Sequence, residues 1–490
     1  MNHKHLTSAV LALLICLTGC EQTSERENDP KESKETETTT ISTETLNEYD
    51  YPDKGFDGYE FVILNMDSYY NSYVKVDVGE QTGETVDDAV WARNRKVEDK
   101  LGITITERTE NFGSWDELNK TGKLLRQDVM AGDETYDCGY VSVAAIPGII
   151  TEGYLYDLNS IKTLNLDKEW WDNDLNKQLE LNGKLFCATS PLQLTALDLT
   201  WVLLFNKSIL AGNQLELPYD IVREGKWTFE KMNEYVSKVA NLNGDESFAF
   251  NETGKAVYGI AAHNSSRYFM LTAGDNALIT TDQSGTPRFT GGNERLYNTV
   301  EKAAALLSTS DGKCIFGDND LAPGSYYYIF VNNRSAFLTS EIKGTHVMRP
   351  YDIEFGIVPM PKYDEAQECY IAYASQSAYR LCVPSNASDP ERTGSILDAL
   401  SFESKYNVLP LYYDQTICQK GLRDEESIEM LSLVSDGRRL DMGMVFGFTS
   451  SLMNGLKQCV LDGGQNAASV VAENSAQVEV KLTELLDKIA

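Results

Sequence analysis

The chain alternates between strand-like and helix-like apolar patterns from residue 59 to residue 143. Residues 59–64 form a compact apolar run of strand length. Residues 85–101 carry apolar side chains at helical spacing, and Gly102 predicts the end of that helix. The pattern continues with a strand, a helix and a strand over 103–106, 115–130 and 136–143. This order is typical of a parallel α/β unit.

The N-terminus predicts export. An apolar run, Leu6–Cys16, is followed directly by Leu17-Thr18-Gly19-Cys20, which is the pattern of a bacterial lipoprotein signal. We therefore expect residues 1–19 to be a signal peptide and Cys20 to carry lipid. The sequence also allows an ordinary secretory signal with a coincidental cysteine, or a short uncleaved anchor.

Residues 20–55 are rich in Glu, Thr, Ser and Lys, and few of them are large and apolar. A segment of this composition cannot bury enough apolar surface to offset its backbone entropy. We therefore expect a disordered acidic stalk between the lipidated Cys20 and a folded body. The body begins near Phe56 and is longer than a typical single domain, which predicts two lobes or two domains.

Charge and cysteine content exclude several classes of function. The 43 basic and 74 acidic residues give a formal net charge of −31, which disfavours binding to nucleic acid. No CxxC pair occurs, so neither a zinc knuckle nor a redox motif is indicated. Buried free thiols are expected, although one disulfide is also compatible, for the seven cysteines after Cys20: Cys138, Cys187, Cys314, Cys369, Cys382, Cys418 and Cys459.

Several short segments form a recognisable series along the chain: Ala131-Gly132-Asp133 with Tyr136-Asp137, Gly153–Leu158, Asn182–Phe186, Phe205-Asn206-Lys207, Lys226–Glu230, Ala336–Leu338 and Gly356–Pro361. Taken in this order, they resemble the carbohydrate-type solute-binding proteins of ABC importers, the group related to maltose-binding protein. The resemblance implies an α/β, two-lobed, periplasmic-binding-protein-like fold of type II, with lobes joined by several hinge crossings. It places lobe 1 at 56–187 plus 377–440, and lobe 2 at 188–376 plus 441–490.

The residues themselves agree with parts of this resemblance. Thr228 precedes a helical pattern and is expected to cap it, with Trp227 as a structural residue behind the cap. Pro359 and Pro361 predict the end of a strand. An amphipathic helix is expected over 478–489.

Candidate ligand-binding residues follow from the fold that the resemblance implies, because carboxyl ends of strands face the cleft in open α/β sheets. The loop after the first strand offers Asn65, Asp67 and Tyr69, and the third strand offers Tyr140 and Ser142. At the first crossing, alternation is expected to bring Asp198 and Thr200 to one side, with Trp201 nearby. The alternative is that Asp67 only caps a turn and Trp201 is buried.

The sequence gives little indication of an enzyme. After the signal, only His263 and His346 remain as histidines, and neither a Gly-x-Ser-x-Gly elbow nor a His-Glu-x-x-His helix occurs. We expect no catalytic residues, no cofactor and no metal. A surface glycoside hydrolase would need only two carboxylates, which this acidic sequence cannot identify.

The expected function is a lipid-anchored substrate-binding protein of an ABC transporter. It would capture an extracellular solute, expected to be an oligosaccharide, and deliver it to a permease. Its 26 tyrosines and six tryptophans include the run Tyr326–Tyr328, interpreted as a strand-to-loop region. A monomer on the extracytoplasmic face of the membrane is expected. The alternatives are the glycoside hydrolase, and the same fold acting as a sensor or binding a peptide.

Overall fold

The computed structural model describes residues 48–68, 75–114, 117–282, 285–318, 320–375, 378–414, 422 and 424–490. The predicted signal peptide, Cys20, most of the predicted stalk, Tyr69 and Cys418 lie outside these residues. The described residues belong to one unit, Glu48–Ala490.

The chain forms thirteen β-strands among these residues. They are β1 (Tyr59–Ser68), β2 (Ile103–Phe112), β3 (Cys138–Ser142), β4 (Trp201–Asn206), β5 (Tyr258–His263), β6 (Ile279–Thr281), β7 (Pro287–Phe289), β8 (Cys314–Gly317), β9 (Ser335–Glu341), β10 (Phe355–Val358), β11 (Ala372–Tyr373), β12 (Tyr379–Cys382) and β13 (Arg438–Arg439).

Seventeen α-helices accompany them in the same residues. They are α1 (Thr85–Leu101), α2 (Lys120–Ala131), α3 (Ile146–Thr151), α4 (Asn173–Lys177), α5 (Lys207–Gly212), α6 (Tyr219–Arg223), α7 (Phe229–Val239), α8 (Ser266–Ala273), α9 (Glu294–Leu306), α10 (Tyr326–Val331), α11 (Gly344–Val347), α12 (Pro390–Glu403), α13 (Leu409–Tyr412), α14 (Glu425–Asp436), α15 (Met442–Val445), α16 (Ser450–Leu461) and α17 (Ala467–Ile489). A π-helical turn, Ser404–Val408, joins α12 to α13.

Two sheets organise the chain. The first has the strand order β12-β3-β1-β2, and the second has the order β10-β4-β9-β5-β8. In the first sheet β1, β2 and β3 are parallel and β12 is antiparallel to β3. In the second sheet β4 runs against both of its neighbours, β9 and β10. These two antiparallel strands, β4 and β12, are each the first strand that the chain adds to one of the two sheets after leaving the other.

The chain crosses between the sheets along two segments whose described parts, 188–200 and 372–375, are adjacent. At one end of this pair, the backbones of Ala188 and Leu381 exchange two hydrogen bonds of 2.9 Å. Further along, the Ser375 amide donates to the Leu199 carbonyl at 2.9 Å. The short parallel pair β11 and β13 lies beside them. The crossings thus form a hydrogen-bonded hinge rather than isolated linkers.

The chain changes sheets again before residue 425. The α12 helix and the π-helical turn pack against α1, whereas α14 packs against β10 of the second sheet. The sequence had placed this return near residue 441. The lobe boundaries remain a prediction.

Several local interpretations agree with the structure. The α1 helix spans 85–101, and Gly102 ends it with a φ of 62°. Trp227 is fully buried, and its Nε1 donates to the Pro359 carbonyl at 3.1 Å. The Thr228 side chain caps α7 by accepting from the Lys231 amide at 3.2 Å. Trp227 is therefore structural, as the sequence indicates, and the predicted C-terminal helix is part of α17.

Two element predictions were wrong. The second helix begins at Lys120 rather than near residue 115, because residues 117–119 form a short turn first. Tyr326–Tyr328 is the first turn of α10 and not a strand-to-loop region. Ser325 causes this difference, since its side chain accepts from the Tyr328 amide and so caps a helix.

No helix among the described residues is long and apolar enough to cross a membrane. The described cysteines are free: Cys138, Cys187, Cys314, Cys382 and Cys459 are buried, and Cys369 is exposed.

The first described residues are docked onto α12. The Tyr49 hydroxyl donates to Oδ2 of Asp398 at 2.9 Å, and the Tyr51 hydroxyl donates to Oε1 of Glu403 at 2.9 Å. The Tyr49 ring also packs against Phe402, with ring centroids 5.3 Å apart. Burial raises the pKa of both tyrosines above its ordinary value, so both hydroxyls keep their protons as donors.

Asp398 is a fully buried carboxylate with many donors around it. Its Oδ1 accepts from the indole Nε1 of Trp170 at 3.0 Å and of Trp171 at 2.9 Å. Its two oxygens also accept from the amide and the side chain of Asn165. Together with Tyr49, this carboxylate therefore joins three separate segments of the chain.

Candidate ligand site at the lobe crossings

One edge of the second sheet collects the ends of several strands. The register pairs Trp201, the first residue of β4, with Glu341 at the end of β9. It also pairs His263 at the end of β5 with Gly317 at the end of β8. Carboxyl ends of parallel strands are the usual position of ligand sites in open α/β sheets. This edge directly adjoins the first crossing, which ends at Thr200.

Aromatic rings cover this edge. Trp201 lies against Phe269 with ring centroids 4.0 Å apart and against His263 at 5.9 Å. Phe269 is stacked on Tyr373 of β11 at 4.9 Å, and His263 meets Tyr326 at 5.7 Å. These five residues are the aromatic cluster. It connects the second sheet with the second crossing.

The first crossing carries polar groups without partners. Asp198, Thr200 and Trp201 are 1%, 0% and 6% exposed. Oδ1 of Asp198, Oγ1 of Thr200 and Nε1 of Trp201 are buried and have no hydrogen-bond partner among the described residues. Buried polar atoms are paired in the great majority of proteins, and an unpaired one costs about 1–3 kcal/mol. Three such atoms lie within four residues at this crossing.

The local conformation here differs from the sequence prediction. Residues 194–196 form a 3₁₀ turn, and the Thr200 amide donates to the Leu197 carbonyl at 2.9 Å. Residues 197–199 are therefore a turn, which leads into an antiparallel β-bridge between Thr200 and Ala374. Backbone bonds hold the turn, because the carbonyls of Asp198 and Thr200 accept from the amides of Lys343 and Ile342.

Asp198 has an unusual charge environment. The Tyr412 hydroxyl donates to its Oδ2. Burial raises the pKa of Asp198 to about 7, and nearby Glu341 adds to the increase, while the Tyr412 bond and Lys343 oppose it. Glu341 and Lys343 form an ion pair of 3.0 Å. Asp198 is thus a buried acid that links the first crossing to α13 and that changes charge near neutral pH.

The residues predicted on the first sheet lie at the corresponding edge of that sheet. Asp67 is half-buried near the end of β1, where it pairs with Asn111 of β2. Ser142 ends β3, and its buried Oγ accepts from the Ala144 amide at 3.3 Å. Tyr140 is fully buried, and burial raises its pKa well above the ordinary value. Tyr69 lies outside the described residues.

A half-buried carboxylate supports this edge of the first sheet. Glu107 of β2 accepts from the amides of Val76 and Asp77 at 2.7 Å and from the Asn65 side chain at 2.9 Å. Arg93 of α1 is fully buried and donates to the Val76 carbonyl. These bonds fix the chain at 76–77, where it returns towards α1.

Sequence reasoning missed several residues at the second sheet. His263 was considered only as a catalytic histidine, although it ends the apolar run Tyr258–Ala262, which is a signal for a strand end. Burial lowers its pKa, Glu341 and Asp318 oppose this decrease, and Arg267 adds to it. Phe269 and Tyr373 carry no comparable sequence signal, because only the folded chain brings them to Trp201.

A polar pocket of about 510 Å³ lies beside β13. It is lined by α4, by the chain after α8 and by the segment that follows α14, and its charged residues are Asp174, Lys177, Asp275, Asp436, Arg439 and Asp441. In the part of the chain that the structure describes, no group of three or more His, Cys, Asp or Glu is arranged to hold a metal ion.

Known proteins match this chain in structure but not in sequence. No protein-family model and no curated protein sequence matches the chain. A cyclo/maltodextrin-binding protein in complex with maltotetraose matches with a TM-score of 0.56 and 14% identity, covering 88% of this chain and 99% of that chain. This chain has the solute-binding-protein fold.

Two further structures share this solute-binding-protein fold. The maltose-binding periplasmic protein of Listeria monocytogenes, in complex with maltose, has a TM-score of 0.54 and 15% identity, covering 87% of this chain and 98% of its own. An ABC substrate-binding protein of the same organism, in complex with cycloalternan, has a TM-score of 0.52 and 13% identity, covering 87% and 100%. The predicted two-lobed, periplasmic-binding-protein-like fold is therefore confirmed.

Proposed function

We propose that this protein is the solute-binding component of an ABC importer and that it captures an oligosaccharide between its two lobes. Ligand binding would close the lobes about the hydrogen-bonded crossings, and the closed form would deliver the solute to a permease. The fold shared with proteins solved with maltose, maltotetraose and cycloalternan supports this proposal.

The observation that carries the proposal is the combination of polar and aromatic groups at the first crossing. A sugar presents hydroxyl groups at its rim and C–H surfaces on its faces. Unpartnered Asp198 Oδ1, Thr200 Oγ1 and Trp201 Nε1 suit the hydroxyls. The aromatic cluster suits the faces. Asp67, Tyr69, Tyr140 and Ser142 remain proposed contacts from the first lobe.

A matched pair of tryptophan variants tests the proposal. Trp201→Phe removes an indole N–H that has no partner, so we expect unchanged or higher stability without ligand. The same variant should weaken oligosaccharide binding about tenfold, which is the loss of one hydrogen bond of about 1.4 kcal/mol. Isothermal titration calorimetry with maltotriose, cellotriose and xylotriose measures the affinity, and thermal unfolding measures the stability.

Trp227→Phe is the control. Its indole N–H is bonded to the Pro359 carbonyl, so this variant should lose about 1 kcal/mol of stability and keep its affinity. No binding of any glycan, together with binding of peptides, would replace the proposed solute by a peptide. Hydrolysis of a bound glycan, lost on changing one pair of carboxylates, would favour the glycoside hydrolase, whereas binding without import would favour a sensor.

We also propose that residues 1–19 are a signal peptide and that Cys20 is lipidated, which places the protein on the extracytoplasmic face of the membrane. The apolar run before Cys20 and the acidic composition of the proposed stalk up to residue 55 support this. The body is proposed to act as a monomer without catalytic residues or a cofactor.

Cys20→Ser tests the anchor. The variant cannot carry lipid, so we expect it to move from the membrane fraction to the soluble extracytoplasmic fraction or the medium. Immunoblotting of fractionated cells measures the distribution. Cys369→Ser is the control, since it changes an exposed cysteine of the body and should remain with the membrane. Membrane retention of Cys20→Ser would contradict the lipid anchor.

A further inference from the structure

In the described part of the chain, two basic side chains near the start of α8, Arg267 and Lys457, form no ion pair with an acidic side chain. Arg267 belongs to the first turn of α8, four residues after the end of β5. Lys457 belongs to α16, which packs against α8. In a chain with a net charge of −31, a pair of cations without a carboxylate is unexpected. By contrast, Lys343 at the ligand edge of the second sheet is paired with Glu341.

Arg267 is held rigidly at this edge. Its Nη2 donates to Oδ1 of Asn264 at 2.7 Å, and its guanidinium lies over the Phe316 ring, 4.6 Å from the centroid. Its Nε is buried and has no hydrogen-bond partner in the described part of the chain. A guanidinium fixed in this way is preorganised, so it loses little conformational entropy when it binds an anion.

Lys457 adds a second positive charge next to Arg267. It is half-buried, and burial and the charge of Arg267 lower its pKa. Burial also lowers the pKa of Arg267, and no carboxylate among the described residues contributes to either group. The two cations therefore destabilise each other in the unliganded protein. An anion bound between them would relieve this repulsion and would gain two charge-assisted hydrogen bonds.

Arg267 lies at the same edge as the candidate ligand site, because its guanidinium covers Phe316, which pairs with Ala262 near the end of β5. The last residue of β5 is His263, a member of the aromatic cluster beside Trp201. A solute bound against the aromatic cluster could therefore reach Arg267 with one substituent. Glu341 does not neutralise the pair, because its carboxylate is bonded to Lys343.

We propose that Arg267 and Lys457 bind an anionic substituent of the captured solute and that the solute is an acidic oligosaccharide containing a uronic acid. This inference rests on the proposed function and narrows it. A carboxylate on the sugar ring matches the planar fork of the guanidinium, and the ammonium group of Lys457 completes the site.

The test compares oligosaccharides that differ only in charge. Titration calorimetry would use oligogalacturonate, oligomannuronate and oligoglucuronate trimers, each beside its neutral methyl ester, and neutral maltotriose. We expect the acid to bind at least about tenfold more tightly than its ester. Arg267→Gln and Lys457→Gln should each remove most of this preference, and Lys238→Gln, which changes an exposed lysine of α7, should leave it intact.

The outcomes separate this inference from the proposed function. Neutral oligosaccharides bound as tightly as acidic ones, with Arg267→Gln and Lys457→Gln unaffected, would overturn the anionic substituent and leave oligosaccharide capture standing. No binding of any glycan would overturn both. Thermal unfolding of Lys457→Gln without ligand is the second readout, because this change removes one of two repelling cations and leaves the Arg267 contacts in place, so the melting temperature should stay unchanged or rise. A lower melting temperature for Lys457→Gln would show a structural role and overturn the inference.

Discussion

Asp398→Ala should lower the free energy of unfolding by about 3–5 kcal/mol, the range for removing one partner of a buried charged network. The substitution leaves the indole N–H groups of Trp170 and Trp171 without an acceptor in a buried site. It also removes the acceptor for Asn165 and for the Tyr49 hydroxyl. Urea unfolding followed by tryptophan fluorescence measures the loss, and these two tryptophans report on the changed site directly.

Two milder substitutions calibrate this result. Asp389→Ala removes the exposed N-cap of the same helix, α12, and should cost about 1 kcal/mol. Tyr49→Phe removes a single donor from Asp398 and should also cost about 1 kcal/mol. If Asp398→Ala cost no more than these variants, the carboxylate would not act as the junction of the three segments.

Asp198→Asn should remove a pH dependence of stability that the native protein shows between about pH 4 and pH 7. The folded pKa of Asp198 is raised to about 7, whereas the unfolded pKa is about 3.9. Its contribution is therefore fully present below the unfolded pKa and is lost as the pH rises through the folded pKa. The full difference corresponds to at most about 4 kcal/mol.

The measurement is urea unfolding of both proteins at intervals from about pH 2 to about pH 8, so that it spans the folded pKa of Asp198 and the lowered pKa of Asp424. The native protein should lose stability relative to Asp198→Asn as the pH rises. Asp424→Asn provides a control of opposite sign, because hydrogen bonding and the ion pair with Lys207 lower the pKa of Asp424 despite its partial burial. The stability that Asp424 contributes is present above its unfolded pKa and is lost as the pH falls through its folded value. A constant difference between the native protein and Asp198→Asn would contradict the raised pKa.

Local patterns were sufficient to predict the three parallel strands of the first sheet and, apart from the start of α2, the two helices between them. The apolar spacing of 85–101 and the glycine at 102 act within one helix, so the sequence alone contains the whole signal. The run Tyr326–Tyr328 was misread because its apolar residues fit either period, and the capping side chain of Ser325 decided between them. Boundaries in such short apolar runs depend on a single hydrogen bond.

The ligand site was only partly predictable. Trp201 and Asp198 could be proposed because the crossing follows a recognisable segment, but their burial and their missing partners are properties of the folded chain. Arg267 and Lys457 are 190 residues apart in sequence, and only the packing of α8 against α16 brings their charges together. No periodicity or spacing within the sequence contains that information.

The docking of Tyr49 and Tyr51 on α12 determines where a mechanical load enters the body. If Cys20 is anchored as proposed, the part of the stalk between Cys20 and Glu48 spans 28 residues, which corresponds to a length of at most about 100 Å. The residues that follow it are bonded to α12, which packs against α1 of the first sheet. Tension on this segment would therefore enter the body at α12, beside the first sheet, and not at the crossings.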